Sequence, residues 1–406
     1  MTGRLAKSAY RYSYVTLRRL LLLYLHILDE LGELFFSRKR PVFSRPHKII
    51  VSEIGHIGDL IFSTPVFSII KNNFPDSHIY ALINPVAQPL LEGNPYIDGI
   101  LTYDHFRLSR NRVCFFKKMY RTIREYGALK NHLRVGGFDL GLDLRHFYPT
   151  TIQLLVLGGV GFVAGFGNRG HGYLLDKKLS LCPDLHEVEQ KVHALAQLGL
   201  RVPPKEHIKL QIYLEEEVED KIRKLLSSSG IDANWTICVI HPGCGQRARL
   251  WTNEGWARVA DFLVKQSIQV IFTGGNNEKS LIQDIKNILG PKNHCLDLSG
   301  ALSLKELMAL IKLADFFMGL ESAPSHIAAA VETPVICLYS GTTRTNQWKP
   351  WGGRVFVITK ELACAPCYNP LGCRLMSCLR DIKAEDVIEI IKKEILPKPK
   401  KSRGNV

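Results

Sequence analysis

Residues His241–Trp256, HPGCGQRARLWTNEGW, and Gly319–Ala330, GLESAPSHIAAA, decide how this chain folds. Each opens on an apolar run, breaks at small or turn-forming residues, then begins an amphipathic helical pattern. That is the signature of a strand, a loop and a helix N-terminus. A helix N-terminus presents unpaired N–H groups and about half a positive charge, so it favours a phosphate. Two such turns in one half of the chain, one carrying Arg247 and Arg249, point to a diphosphate-bearing ligand. A third turn, Ile54-Gly55-His56-Ile57-Gly58-Asp59, lies near the N-terminus.

Around the first two turns the second half of the chain alternates. TICVIHPG, QVIFTGG, NHCLDLSG, DFFMGLE and PVICLYS read as strands; NEGWARVADFLVKQ, NEKSLIQDIKNIL, SLKELMALIKL and APSHIAAAVE read as helices. The first half repeats the scheme. HKIIVSEIG, HIYALIN, IDGILTYD, FDLGLDL and VGFVAGF are strands, with helices over GDLIFSTPVFSIIKNNFP, PVAQPLLEGNP, Tyr148–Leu157 and Glu187–Gly199. Strand–helix alternation implies a mostly parallel sheet covered on both faces. Val202-Pro203-Pro204 cannot continue a helix and marks the domain boundary. The chain therefore divides into an N-terminal extension (1–47), a first Rossmann-like domain (48–204), a second (205–383), and a C-terminal helix with a basic tail (384–406). Two Rossmann-like domains facing each other would form a cleft at the C-terminal ends of their strands, where such sheets bind ligands.

At 406 residues and 46% hydrophobic content the chain suits two globular domains, and neither a disordered nor a polytopic membrane protein. Its formal charge of +15 calls for an anionic partner: phosphorylated glycolipid, acidic bilayer or nucleic acid. Much of this charge lies in residues 1–48, around the apolar stretch Leu20–Leu28. That stretch is about half the roughly 20 residues needed to span a bilayer. No small-residue cleavage site follows, so it does not read as a signal peptide. A basic, apolar helix of this kind suits a membrane interface, or alternatively packs on the protein body.

Six cysteines, Cys114, Cys182, Cys238, Cys244, Cys295 and Cys337, are scattered and read as small buried apolar residues. Cys364, Cys367, Cys373 and Cys378 are clustered. Four thiolates at such separations can hold zinc or an iron–sulfur cluster, or remain reduced in a compact turn.

In the first domain Asp59 falls at a helix start and would project into the cleft. A carboxylate there serves as a general base on a sugar hydroxyl, or simply caps the helix. His56 is a weaker base candidate, and Glu53 reads as the strand end. Gly58 lets a ligand approach the backbone. In the second domain Arg247 and Arg249 follow the Gly243–Gly245 turn and can neutralise a diphosphate, or form an exposed basic loop. Glu278 ends a strand and either accepts hydrogen bonds from a ribose or biases the helix start. Ser322 and the amides of Ala323 and Ser325 can hold phosphate oxygens; Pro324 donates none. His326 is either a ligand-facing or a core histidine. Between His105 and Arg134, basic residues including Arg110, Arg112, Arg121 and Arg124 interleave with aromatics, against a single acid, Glu125. Such a mixture suits nucleic acid, an anionic glycolipid or a solvated helix, and its position favours an anionic acceptor.

From about Lys48 to Ile391 the chain resembles the ADP-heptose:lipopolysaccharide heptosyltransferases of glycosyltransferase family nine. The resemblance is carried, in order, by IGHIGDLIFSTP, LLEGNPYIDGIL, GFDLGLDLR, HPGCGQRARLWTNEGWARVADFL, FTGGNNEKS, the segment from LSGALSLKEL to PVICLYSGT, and CAPC…C…CLRDI. It implies a GT-B α/β fold and inverting transfer of a sugar from a nucleotide-sugar donor, with no required metal or cofactor. It places the catalytic aspartate on Asp59 and a basic donor-binding residue on Arg249, two positions before Trp251. An acidic donor residue falls on Glu278, and the phosphate turn on Glu321, Ser322, Ala323, Pro324, Ser325 and His326. Glu321 stands where the family has aspartate, and Ala323 where it has glycine. A transferase is therefore expected, with an inactive nucleotide-sugar-binding protein of the same fold as the alternative. The implied acceptor is an anionic lipopolysaccharide-core glycolipid, held by Gly58, Arg121 and Arg124. The implied location is peripheral, on the cytoplasmic face of the inner membrane, with no nucleic-acid partner.

Overall fold

The computed structural model describes residues 19–35, 45–108, 114–146, 150–167, 171–232, 234–246, 249–290, 295–369 and 372–396, with side chains of the first helix from Ile27 onward. Arg247, Arg110, Arg112, the basic residues before Arg19 and the C-terminal tail lie outside them. The chain divides into two compact units, with the boundary in the sequence between Ile208 and Lys209.

The first unit holds helix α1 (Arg19–Phe35), β1 (Lys48–Glu53), α2 (Ile57–Asn73), β2 (His78–Ile83), β3 (Gly99–Thr102), α3 (Phe115–Gly136), β4 (Leu140–Asp143), α4 (Ile152–Leu157), β5 (Phe162–Phe166), β6 (Lys177–Leu179) and α5 (Glu187–Ala196). Its strands form one sheet in the order β3-β2-β1-β4-β5-β6. Every pairing is parallel, with Val51 opposite Ala81 on one side and Leu142 on the other. The strands are apolar throughout because both faces are covered. PVAQPL, read as a short helix, forms a 3-10 turn over Pro85–Leu90, with Val86 N–H donating to Asn84 Oδ1 at 3.1 Å.

Helix α2 is buried continuously from Leu60 to Ile70. Its apolar residues therefore run all round the helix rather than in one stripe. Pro65 lacks the N–H that would pair with the Ile61 carbonyl. Thr64 Oγ1 donates to that carbonyl instead, at 2.8 Å, so the helix carries its proline without an orphaned acceptor.

Helix α1 does two things at once. Asp29 is buried and accepts from Gly172 N–H at 3.0 Å, Gly32 lies against the Tyr173 ring, and Glu33 pairs with Lys178. Ile27, Leu31, Leu34 and Phe35 stay exposed, the last two by about three-quarters. None of the described helices is long and apolar enough to cross a membrane.

The second unit contains α6 (Glu216–Ser228), β7 (Ile237–His241), α7 (Asn253–Lys265), β8 (Gln269–Phe272), α8 (Lys279–Leu289), β9 (Leu296–Asp297), α9 (Leu304–Leu313), β10 (Phe316–Leu320), α10 (Ala323–Ala330), β11 (Val335–Leu338), α11 (Thr345–Trp348), β12 (Val355–Ile358), α12 (Ser377–Arg380) and α13 (Ala384–Ile390). Its parallel sheet runs β12-β11-β10-β7-β8-β9, the order of the first sheet read from the opposite edge. In the core, Trp256 meets Trp251 edge-to-face at 5.0 Å, and Leu379, Ile382, Val387, Ile391 and Ile395 pack into the same cluster. The C-terminal helix set apart in the sequence reading is thus part of this unit's core.

Of the six scattered cysteines, Cys238 and Cys337 are buried as expected, Cys182, Cys244 and Cys295 are half-buried, and Cys114 is exposed ahead of α3. Cys114 precedes the first turn of that helix, outside the stripe that faces the core.

Candidate active site

Each sheet reverses direction once in strand order, between β1 and β4 in the first unit and between β7 and β10 in the second. In open parallel sheets, ligands bind beyond the carboxyl ends of the strands at this switch point. Asp59 follows β1, and Arg249 and Glu321 follow β7 and β10, at these two places.

In the first unit β1 ends at Glu53, the chain turns through Gly55, and α2 begins at Ile57. Asp59 occupies the third helical position, where His56 N–H donates to its Oδ2 at 2.8 Å. It is therefore a helix cap, one of the two roles its position allowed. Arg145, two residues beyond β4, brings Nη1 to 3.4 Å from the same Oδ2. Among the described residues, every hydrogen bond and ion pair of this carboxylate falls on Oδ2, while the side chain stays 18% exposed. Oδ2 is the oxygen these contacts hold. Burial raises the proton affinity of Asp59, but the bonds from His56 and the Arg145 charge outweigh it and hold the carboxyl well below its ordinary value.

Behind Asp59 lies a buried charge cluster. Glu53 Oε1 accepts from Gly55 N–H at 3.1 Å and faces Arg145 Nη1 at 3.4 Å; its Oε2 accepts from Lys191 Nζ at 2.6 Å. Lys191 also donates to the Leu144 carbonyl at 2.6 Å. Two carboxylates face two cations in a largely buried place, where an unmatched ion would be costly. Asp143 fixes the chain here, accepting from Arg145 N–H at 3.0 Å and from Thr151 N–H at 2.7 Å. Arg145 and Lys191 were not singled out from the sequence. A lone arginine just past an apolar strand at a switch point was a usable signal for the first; Lys191 sits mid-helix and carries none.

In the second unit β7 delivers His241 and the Gly243 turn. The carboxylate of Glu278 lies directly over Gly243, so that a Cβ there would overlap it. Glu278 Oε2 also accepts from Gly275 N–H at 2.7 Å and stands 3.6 Å from His241 Nε2. Burial lowers the proton affinity of His241, although Glu278 opposes this. Arg249 Nη1 lies 3.4 Å from Glu321 Oε1, and its Nε is buried without an acceptor among the described residues.

Glu321 accepts further from Thr343 Oγ1 at 2.8 Å and Ser340 Oγ at 3.1 Å. Burial nevertheless raises its proton affinity, with Arg249 and these hydroxyls opposing. Ser340 and Thr343, in the loop after β11, are partners that sequence reasoning missed. Burial also raises the Cys244 thiol; Arg249 pulls it down, while Glu278 and Glu321 push it up. Arg249, Glu278 and Glu321 thus share one neighbourhood around Cys244.

Ser322 is the N-cap of α10, yet its hydroxyl bonds no helix amide and points to the Leu320 carbonyl at 3.4 Å. The Ala323 end of α10 is left without a side-chain cap, which suits an anion. Ser325 Oγ turns back to the Leu320 carbonyl at 2.6 Å, and His326 is buried within the helix face. Arg121 and Arg124 lie exposed on α3, Arg121 paired with Glu125 at 2.7 Å, and neither bonds Asp59 among the described residues. Cys378 is buried, and its raised thiol, due first to burial, also feels Cys373, Cys367 and Cys364. Among the described residues, no three His, Cys, Asp or Glu side chains come together at metal-holding spacing.

The sequence profile of glycosyltransferase family 9 (heptosyltransferase) matches residues 126–373, more than half of the chain. The chain belongs to glycosyltransferase family 9. Its two switch-point sheets are the paired Rossmann-like units of a GT-B glycosyltransferase. Among its relatives, lipopolysaccharide heptosyltransferase 3 of Escherichia coli K12 is 29% identical, over 84% of this chain and 95% of that protein. Lipooligosaccharide heptosyltransferase 2 of Campylobacter jejuni (serotype O:6) is 30% identical, over 86% of this chain and all of its own length. The structure of E. coli ADP-heptose lipopolysaccharide heptosyltransferase II superposes with a TM-score of 0.69 at 18% identity, covering 86% of this chain and 99% of that one. This family 9 chain thus shares its fold with proteins named for heptose transfer and matches them over nearly the whole of their own lengths.

Proposed function

We propose that this protein is an inverting heptosyltransferase that moves heptose from ADP-heptose onto an anionic lipopolysaccharide-core acceptor, with Asp59 as general base. The observation that carries the reading is the Asp59 carboxylate, held through Oδ2 in the first turn of α2, just beyond the end of β1. The acceptor hydroxyl oxygen attacks the anomeric carbon, the bond from that carbon to the diphosphate oxygen breaks, and the hydroxyl proton passes to Oδ1. A carboxylate of low proton affinity is a weak base towards a resting alcohol. It accepts the proton once bond formation has made the hydroxyl acidic, and it is never lost to protonation at neutral pH.

ADP leaves carrying new negative charge. Arg249, with its orphaned Nε, the uncapped N-terminus of α10 at Ser322 and Ala323, and Arg247 in the same loop are assigned to meet that charge, so the reaction calls on no metal. Glu278 and His326 complete the donor site, Glu278 as a hydrogen-bond acceptor for the ribose. Glu321 holds Arg249 in place. On the acceptor side Gly58 leaves room beside the base, and Arg121 and Arg124 meet the membrane end of the anionic glycolipid. The exposed Ile27, Leu31, Leu34 and Phe35 of α1 support work at the cytoplasmic face of the inner membrane as a peripheral protein.

The test is Asp59→Asn. Transfer should be abolished while ADP affinity is kept; retained turnover would remove Asp59 from the base role. A second reading, a nucleotide-sugar-binding protein without turnover, is favoured by one observation: Glu321 already occupies the Arg249 guanidinium. It is separated by the wild type itself, which would then bind ADP-heptose and transfer nothing to any acceptor.

A further inference from the structure

Helix α3 is stitched to the first unit by one face only. Thr122 is buried, and Leu129 and Leu133 join the core cluster that holds Phe138 and Leu155. On another face Phe116, Tyr120 and Ile123, spaced four and three residues apart, are 72%, 68% and 64% exposed. Residues at this spacing form a continuous stripe along a helix. Lys117, Arg121 and Arg124, each one residue further on, repeat the spacing and run beside it. Among the described residues, Phe116 meets only the neighbouring Phe115 ring and Arg121 only Glu125, so the apolar stripe and the row of cations beside it both face water. Large exposed apolar patches of this sort mark interaction surfaces.

We propose that this face of α3 docks on an anionic lipid bilayer, with Phe116, Tyr120 and Ile123 entering the headgroup–acyl boundary and Lys117, Arg121 and Arg124 meeting lipid phosphates. The charge selects the occupant. A protein groove for the apolar stripe would need neither the cations nor the near absence of acids, Glu125 being the one acid between His105 and Arg134. A bilayer of acidic lipid matches both rows at once.

The placement has a consequence for the acceptor, which rests on the transferase reading. Phe115 meets Phe106 edge-on at 5.7 Å, and Phe106 stacks on His105 at 4.7 Å. His105 follows β3 and Asp59 follows β1, so both lie beyond the carboxyl ends of one parallel sheet. The N-terminal end of α3 is therefore tied through three packed rings to the same end of the sheet as Asp59. A glycolipid anchored in the same bilayer presents its sugars to the side of the unit that holds Asp59.

The experiment is vesicle flotation of the full chain, comparing phosphatidylcholine vesicles with mixed phosphatidylcholine–phosphatidylglycerol vesicles, for wild type and the triple variant Phe116→Ser/Tyr120→Ser/Ile123→Ser. Wild type should float with the mixed vesicles, less with the neutral ones and less at high salt. The triple variant should bind roughly tenfold or more weakly, since interfacial binding scales with inserted apolar area. Its melting temperature and its transfer to a water-soluble, deacylated acceptor should be kept. Tyr120→Ser alone, which removes one exposed ring, should show a smaller loss in the same direction.

Equal binding by wild type and both variants would overturn the proposal and leave α1 as the sole anchor. So would no binding by wild type, equal binding to neutral vesicles, or a variant that changes only self-association or oligonucleotide binding. Absence of heptose transfer by a wild type that still floats would sink the transferase reading and leave the docking surface standing.

Discussion

Arg145 stands between two carboxylates, its Nη1 3.4 Å from Asp59 Oδ2 and 3.4 Å from Glu53 Oε1. Burial alone would raise the proton affinity of Asp59; the His56 bonds and this guanidinium reverse the sign. Arg145→Gln should remove one of the two lowering causes and leave the His56 bonds, so the carboxyl should move up towards its ordinary value. Wild-type kcat/KM should show no acid limb from Asp59 near neutrality, and in the variant that limb should move to higher pH. A pH–rate profile of both proteins reads this directly. Asp59 also contributes stability that is present above its unfolded value and lost as pH falls through its depressed folded value.

Gly55 is the point where this cluster closes. A methyl group on it would overlap Arg145 Nη1 and Asp59 Oδ2. Gly55→Ala should therefore push the base from its position and lower kcat by roughly 100-fold, the scale of a 1 Å misplacement. ADP affinity should be unchanged. A variant with full kcat would show that the carboxylate has more freedom than its contacts imply.

On the donor side, Arg249→Ala should weaken ADP binding by about 10- to 100-fold, the usual worth of a hydrogen bond to a charged group. Gly243→Ala should weaken it through a different route, because the new methyl displaces the Glu278 carboxylate. Calorimetric titration with ADP measures both. Undiminished affinity in Arg249→Ala would move the diphosphate elsewhere.

His105 gives a separate pH signature. Burial, with Arg107 and Arg145 adding, lowers its pKa from 6.5 to about 4. The unfolded chain takes up the proton at the higher value, so stability is fully present above pH 6.5 and is lost as pH falls towards 4. Replacing His105 with Gln should flatten the melting-temperature profile between these limits. A wild-type melting temperature that does not fall over that window would contradict the assignment.

Much of the fold was legible because buried parallel strands are apolar throughout and their helices begin at turns rich in glycine. The elements missed are the exposed ones. Strand β6, with Lys177 and Lys178 exposed, and strand β12, apolar but only half-buried, lie at sheet edges; in β6 the apolar run fades, and in β12 it is only four residues long. Helix α6 opens on Glu216, Glu217 and Glu219 and buries only Ile222 and Leu226, too thin a stripe to stand out. Of the candidate-site residues, Asp59, Arg249, Glu278 and Glu321 were singled out from their turns. Arg145, Lys191, Ser340 and Thr343 were not, because they reach their partners across tens of residues, and only the sheet order brings them there.

Trp251, two residues past Arg249, donates from Nε1 to the carbonyl of Ile382 at 2.9 Å, and the segment from Met376 to Ile395 packs into the core beneath it. During synthesis the Arg249 loop leaves the ribosome long before the residues that pin it. The first unit has all its strands, through Leu179, well before this segment is made, and the second cannot close its core until Ile395 has emerged. A chain cut before Met376 would therefore keep the first unit's core and leave the Arg249 loop without its anchor on Ile382.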